Sequence, residues 1–196
     1  MKATELRARI GWWPWFSVTA GGLGHMWPAS GTWGSLPPVL LMAGMHLAGV
    51  GNGWMMLAMA VLSLLACAAC VRHGDVVERE LRRKDPSEVV IDEVAGMAIT
   101  LLVPMLVETV VRVTQGQSLA EPLTAVAPPR PFWTMLALGF VLFRVTDIIK
   151  PPPARGLQTV HAGWGILLDD LFAGLYAGGT LAVLMLMVAG EPARSV

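Results

Sequence analysis

The sequence predicts an all-α, polytopic transmembrane helical bundle with about five membrane segments, the first of them short or re-entrant. Three observations carry that reading. The 196 residues are 55% hydrophobic and 14% charged, where a soluble domain carries about 25% charged residues. No Asp, Glu, Lys or Arg occurs between residues 10 and 71, whereas a soluble surface needs charge along most of such a length. Five apolar runs then occupy residues 36–50, 54–71, 89–111, 132–150 and 165–190, and a span needs about 20 apolar residues at roughly 1.5 Å each. The length suits one domain over 1–196, with an interfacial segment at 1–34 and the bundle over 35–190.

The elements follow in order. A basic start (Lys2, Arg7, Arg9) leads into GWWPWFSVTAGGLG, where Pro14 and the glycines interrupt any apolar core, so a cleaved signal peptide is not expected. The stretch GLGHMWPASGTWGSLPP is rich in small residues, and turned amides in such a loop can form an anion-binding nest. Thr32 and Ser35 add hydroxyls there. The 36–50 run is short for a span, which leaves a tilted, extended or re-entrant segment open. Glycines at 51 and 53 make a tight turn into the second run, where Cys67 and Cys70 lie in apolar surroundings. A redox pair needs an exposed, electropositive setting, so these read as small helix residues. Residues 72–88 are polar and turn at Asp85-Pro86, residues 114–131 form a Pro-rich loop, and three prolines after Lys150 stop the fourth segment.

Positive charge sets the expected orientation. With the N-terminus cytoplasmic and five crossings, residues 1–34, 72–88 and 144–164 lie inside and hold eleven of the Lys and Arg side chains, against three outside. All eight tryptophans avoid segment centres, as rings that favour the headgroup level do. Net charge is zero, so no overall field argues for a nucleic-acid partner.

Charge inside membrane segments is costly and usually functional. Asp92 and Glu93 open the third segment, Asp147 closes the fourth, and Asp169 and Asp170 open the fifth. Under the expected topology all five acids reach one depth at the cytoplasmic face. Arg144, Asp147 and Lys150 recur every third residue and share a helix face, and Gly96 and Gly174 lie four residues after Asp92 and Asp170, where a missing side chain lets a neighbouring backbone approach. Clustered carboxylates repel unless a cation joins them. Magnesium takes oxygen ligands and commonly combines carboxylates with substrate phosphate, which Arg and Lys on a facing helix would hold. The plainer readings are an ion pair of Asp147 with Arg144 or Lys150, and Asp169 as a helix cap. His25 and His161 lie in loops beside the acids, as proton shuttles or ordinary loop residues.

Three ordered motifs, GTWGSL (31–36), DPSEVVIDEVAGM (85–97) and FRVTDIIKPPPAR (143–155) running on to GWGILLDDLFAGLYAG (163–178), resemble the phosphatidylglycerophosphatase A family of bacterial inner-membrane enzymes. The resemblance implies a magnesium-dependent hydrolysis of phosphatidylglycerol phosphate to phosphatidylglycerol and phosphate. It further implies a multi-pass protein of the bacterial inner membrane. The family's acidic positions fall on Asp85, Asp92, Glu93, Asp147, Asp169 and Asp170, its basic ones on Arg144 and Lys150, and its loop on Gly31, Thr32, Gly34 and Ser35. Asp92, Glu93, Asp169 and Asp170 are thereby expected to bind metal and carry catalysis, with Arg144, Asp147, Lys150, Thr32 and Ser35 on the substrate. Ser30, Gln158, Thr159 and the HAG at 161–163 depart from the family pattern.

Other membrane classes leave different marks. A CDP-alcohol phosphatidyltransferase shows D-G-x2-A-R with a later G-x3-D-x3-D, and a histidine-based lipid phosphatase shows P-S-G-H; neither is present. The alternative is a proton- or cation-coupled transporter, whose buried acids usually sit near the bilayer midplane.

Overall fold

The computed structural model describes residues 3–84, 86–126, 129–152 and 163–189. Every regular element among them is helical: α1 (Ala3–Ile10), α2 (Trp12–Val18), a 3-10 turn (Leu23–His25), α3 (Ser30–Gly34), α4 (Leu36–Leu47), α5 (Asn52–Leu81), α6 (Ile91–Thr114), α7 (Ala120–Thr124), α8 (Pro129–Ile149) and α9 (Gly163–Ala189). Among the described residues, four helices are long and apolar enough to cross a membrane, over Asn52–Leu81, Ile91–Thr114, Pro131–Ile149 and Trp164–Val188.

The first apolar run departs from a full-length span. Helix α4 has 12 residues, about 18 Å at 1.5 Å per residue, because Gly49 turns left-handed at φ 70° and closes it. Its two ends nevertheless meet opposite ends of the bundle. Just before it, Gly31 lies against Glu93 and Arg144; at its far end, His46 stacks on Phe132 with ring centroids 3.7 Å apart.

Helix α6 is the spine, because its small residues admit neighbours on several sides. A Cβ on Gly96 would stand 2.5 Å from the Asp170 carbonyl oxygen and 2.6 Å from the Phe143 ring. A Cβ on Gly174 would strike the Gly96 carbonyl oxygen. Pro104 lies inside α6 and has no N–H to offer the Thr100 carbonyl. Gly178 of α9 packs at that carbonyl, its would-be Cβ 3.1 Å from the oxygen, so α9 seats where the proline loosens the α6 ladder.

Two apolar clusters bracket the charged groups. One gathers Met42, Met55, Met59, Met97, Leu101, Phe132, Phe143 and Leu181; its many methionines suit the irregular gaps between crossing helices. The other joins Leu6 and Val18 to Val77, Val89, Val94, Ile166 and Leu167. It seats α1 and α2 on the end of α5, where Arg9 pairs with Glu80 at 2.8 Å and Val90 N–H donates to the Val18 carbonyl at 2.9 Å. At the other end of α5, Asn52 N–H donates to the Ala125 carbonyl at 2.9 Å.

Candidate active site

Three helices bring the acids together. Asp92 and Glu93 occupy the first turn of α6, Asp169 and Asp170 the second turn of α9, and Arg144 and Asp147 the last turns of α8, with Lys150 following it. Carboxylate oxygens of Asp92, Glu93 and Asp170 all lie within 4.8 Å of one another. Asp92 and Asp170 are 5% and 3% exposed, so water supplies little screening. The glycine contacts explain how acids on two helices meet: α6 and α9 touch backbone to backbone at Gly96 and Gly174, one turn inside the cluster.

The other expected residues form a second layer. Lys150 Nζ donates to Asp169 Oδ2 at 3.1 Å, and Arg144 pairs with Asp147 at 2.8 Å. Asp147 lies within reach of Asp170 and Glu93, so it links the ion pair to the acid cluster. Asp169 sits well inside α9, which begins at Gly163, and therefore does not cap that helix. The plainer reading of Asp147, an ion pair with Arg144, is present in the structure. It does not account for the three acids beside it.

Gly31 closes one side of the cluster: a Cβ there would lie 2.5 Å from Glu93 Oε1 and 2.9 Å from Arg144 Nη1. The loop around it differs from an irregular nest, since residues 30–34 are a helical turn. The N–H groups of Thr32 and Trp33 donate to the Ala29 carbonyl and that of Ser35 to Gly31, so these three amides are already engaged. Ser35 is buried, and its Oγ donates to the Gly31 carbonyl at 2.7 Å; the hydroxyl thus fixes the turn that presents Gly31. Thr32 is half-buried on the same turn.

His25 accepts a hydrogen bond at Nε2 from Trp15 Nε1 at 3.1 Å. Burial holds its imidazole below the usual histidine range, with the charge of Glu88 opposing that shift. His161 and Asp85 lie outside the described residues. Sequence reasoning missed the clasp between α8 and α9, in which Thr146 Oγ1 donates to the Ala173 carbonyl at 3.0 Å and Tyr176 Oη to the Pro152 carbonyl at 2.8 Å. Its only sequence signal is the helical spacing of Asp169, Ala173 and Tyr176.

The donor set fits a hard divalent cation. All the gathered atoms are carboxylate oxygens, and Glu93 Oε2 and Asp170 Oδ2 are buried without a hydrogen-bond partner among the described residues. Magnesium takes oxygen ligands and commonly uses carboxylates, and these three carboxylates lie close enough together to share one ion. Leaving such acids without compensating charge costs several kcal/mol per ion.

The phosphatidylglycerophosphatase A family profile matches residues 16–185. The chain belongs to the phosphatidylglycerophosphatase A family. Phosphatidylglycerophosphatase A of Escherichia coli K12 is 29% identical over 175 residues, covering 86% of this chain and 81% of its own. The Haemophilus influenzae protein of the same name is 29% identical over 157 residues, covering 80% and 78%. No solved structure matches the chain. Membership places the chain among the phosphoric monoester hydrolases of phospholipid metabolism. Every member of the acid cluster lies within the matched region, as do Arg144 and Lys150.

Proposed function

We propose that this chain hydrolyses the phosphate monoester of phosphatidylglycerol phosphate, with magnesium, at the cytoplasmic face of the bacterial inner membrane. The observation that carries the reading is the convergence of Asp92, Glu93 and Asp170 within 4.8 Å, with Arg144 and Lys150 anchored beside them, in a chain of this family. Asp92, Glu93 and Asp170 would hold the ion. Magnesium, when bound, supplies polarisation of the phosphoryl group and activation of water.

The chain's own groups do the rest. Arg144 presents a planar fork matched to phosphate oxygens, and Lys150 adds a compact positive charge. Asp147 keeps Arg144 aimed at the cluster. Gly31 leaves room where a side chain would otherwise press on Glu93 and the guanidinium. The diacylglycerol tails remain in the bilayer while the headgroup enters from its edge. Helix α4 joins the four long helices as a fifth, short crossing, since its ends meet opposite ends of the bundle. The acids lie within about two turns of an end of α6, α8 and α9 rather than at mid-helix, which favours an edge-entry hydrolase over a transporter with a midplane site.

The decisive experiment measures phosphate release from phosphatidylglycerol phosphate by the purified chain. Activity should vanish in excess chelator and return with magnesium. Full activity in excess chelator removes the mechanism, and absence of activity under every metal condition removes the substrate assignment.

A further inference from the structure

We propose that the adjacent acids of α9 do separate work: Asp170 belongs to the metal-binding group, and Asp169 is a positioning residue that holds Lys150 for the substrate phosphate. This deepens the function proposed above and rests on it.

Helix geometry makes the division. Consecutive residues on an α-helix, at 3.6 per turn, point about 100° apart, so Asp169 and Asp170 leave α9 in different directions. Asp170, Gly174 and Gly178 recur at i, i+4 and i+8, and all three meet α6. Asp170 joins Asp92 and Glu93, Gly174 abuts Gly96, and Gly178 abuts Thr100. Asp169, Ala173 and Tyr176 recur at i, i+4 and i+7 and all three meet α8 or the residues just after it. Asp169 receives Lys150 Nζ at 3.1 Å, Ala173 receives Thr146 Oγ1 at 3.0 Å, and Tyr176 donates to the Pro152 carbonyl at 2.8 Å. The carboxylate group within 4.8 Å comprises Asp92, Glu93 and Asp170, without Asp169.

The lysine end of the pair is equally fixed. Lys150 adopts φ 47°, a left-handed conformation that L-residues seldom take, and its N–H closes the last turn of α8 on the Thr146 carbonyl at 2.8 Å. This bend ends the helix at the α9 contact. Asp169 is 3% exposed, so its bond to the ammonium is weakly screened and directs a flexible side chain. A phosphate arriving at the cluster therefore meets an ammonium already localised rather than one sampling many rotamers.

The test uses the full-length chain in detergent, with Mn2+ as a paramagnetic probe of the metal site and inorganic phosphate as a product inhibitor. Asp169→Asn should bind Mn2+ within about threefold of the unmodified chain, while the KM for phosphatidylglycerol phosphate and the phosphate inhibition constant each rise about tenfold, the scale of one charge-assisted contact. Lys150→Ala should reproduce that pattern. The double variant should be no worse than Lys150→Ala alone, because the two residues act as one unit. Asp169→Glu should recover part of the lost affinity, and Asp170→Asn should weaken Mn2+ binding at least tenfold. Gel filtration and melting temperature identify any variant that has unfolded.

If Asp169→Asn loses Mn2+ as Asp170→Asn does while remaining folded, Asp169 is a metal ligand and the assignment falls. Additive effects of Asp169→Asn and Lys150→Ala would overturn it equally. A wild-type chain that neither binds Mn2+ nor releases phosphate would instead sink the parent reading and take this one with it.

Discussion

Gly174 of α9 rests on the main-chain carbonyl of Gly96 in α6, with no room for a Cβ between them. This contact lies one turn from Asp170 and one turn from Asp92, so the distance between two acid-bearing helices is set by two hydrogen atoms. Such close approach is what small residues provide between membrane helices, where apolar side chains gain little by leaving lipid.

Gly174→Ala and Gly96→Ala should therefore separate α6 from α9. Overpacking of this kind costs about 1–3 kcal/mol, and the acids should lose their common centre. A lowered melting temperature together with a large loss of phosphatase activity is expected for both. Gly44→Ala is the control, because nothing lies within 4 Å of a Cβ there. Unchanged activity in Gly174→Ala would show that helix spacing does not control the site.

Glu93→Gln and Asp170→Asn should each leave a folded protein with little turnover. Both remove a carboxylate charge from the metal-binding group, and metal stabilisation of a transition state is worth several kcal/mol, on the order of a hundredfold or more in rate. The measurement is kcat at saturating magnesium. If both variants retain near-normal kcat, the metal centre lies elsewhere.

The acid cluster was legible in the sequence because charge inside an apolar run is a local anomaly, and so were Gly96 and Gly174 at one helical turn from it. The different destinations of Asp169 and Asp170 were not legible. Nothing local states which neighbour each face of α9 meets until α6 and α8 are packed on it. The loop at 30–34 misled for a related reason. Its composition is that of an irregular turn, yet Ser35 Oγ and the amides at 32, 33 and 35 close a helical turn instead. The length of α4 was ambiguous because the apolar run continues to residue 50, whereas the backbone turns left-handed at Gly49.

Arg144→Ala should raise KM about tenfold or more, since a hydrogen bond to a charged group contributes about 1.5–3 kcal/mol. Arg144→Lys should recover only part of this, because an ammonium lacks the guanidinium fork. Steady-state kinetics beside thermal melting separates the roles. A protein that melts earlier with unchanged KM would reduce the Arg144 and Asp147 pair to a structural brace.

His25 should govern stability more than catalysis. Burial holds its folded-state pKa below the unfolded value, so the fold favours the neutral ring, which accepts the Trp15 bond. Above about pH 6.5 both states are neutral and His25 adds no pH dependence. Below it the unfolded chain binds the proton more readily, so stability falls as pH drops from about 6.5 toward the depressed folded value. Melting temperature should decline over that window in the unmodified chain and decline less in His25→Gln, while His25→Gln keeps substantial activity at neutral pH. Identical melting profiles would dissociate His25 from acid sensitivity.

Residues 80 and 120 should be reached from opposite sides of the membrane, 80 from the cytoplasm and 120 from outside. Helix α5 holds 30 residues, about 45 Å, which exceeds a hydrocarbon core of about 30 Å. One end carries the N-terminal helices through Arg9 and Glu80, and the other is bonded to the loop at Ala125. The end with Glu80 also holds Arg72, Arg79, Arg82, Arg83 and Lys84, and basic loops stay in the cytoplasm. Because α4 is short, the alternative is that it turns back, which would move its far end toward the acids; the stacking of His46 on Phe132 opposes that. Single cysteines at 80 and 120, in a background lacking Cys67 and Cys70, give the measurement with an impermeant thiol reagent on intact spheroplasts. Labelling at 120 before lysis and at 80 only after it is the expected result. Labelling at 80 before lysis would invert the bundle and move the acid cluster, still intact, to the outer face.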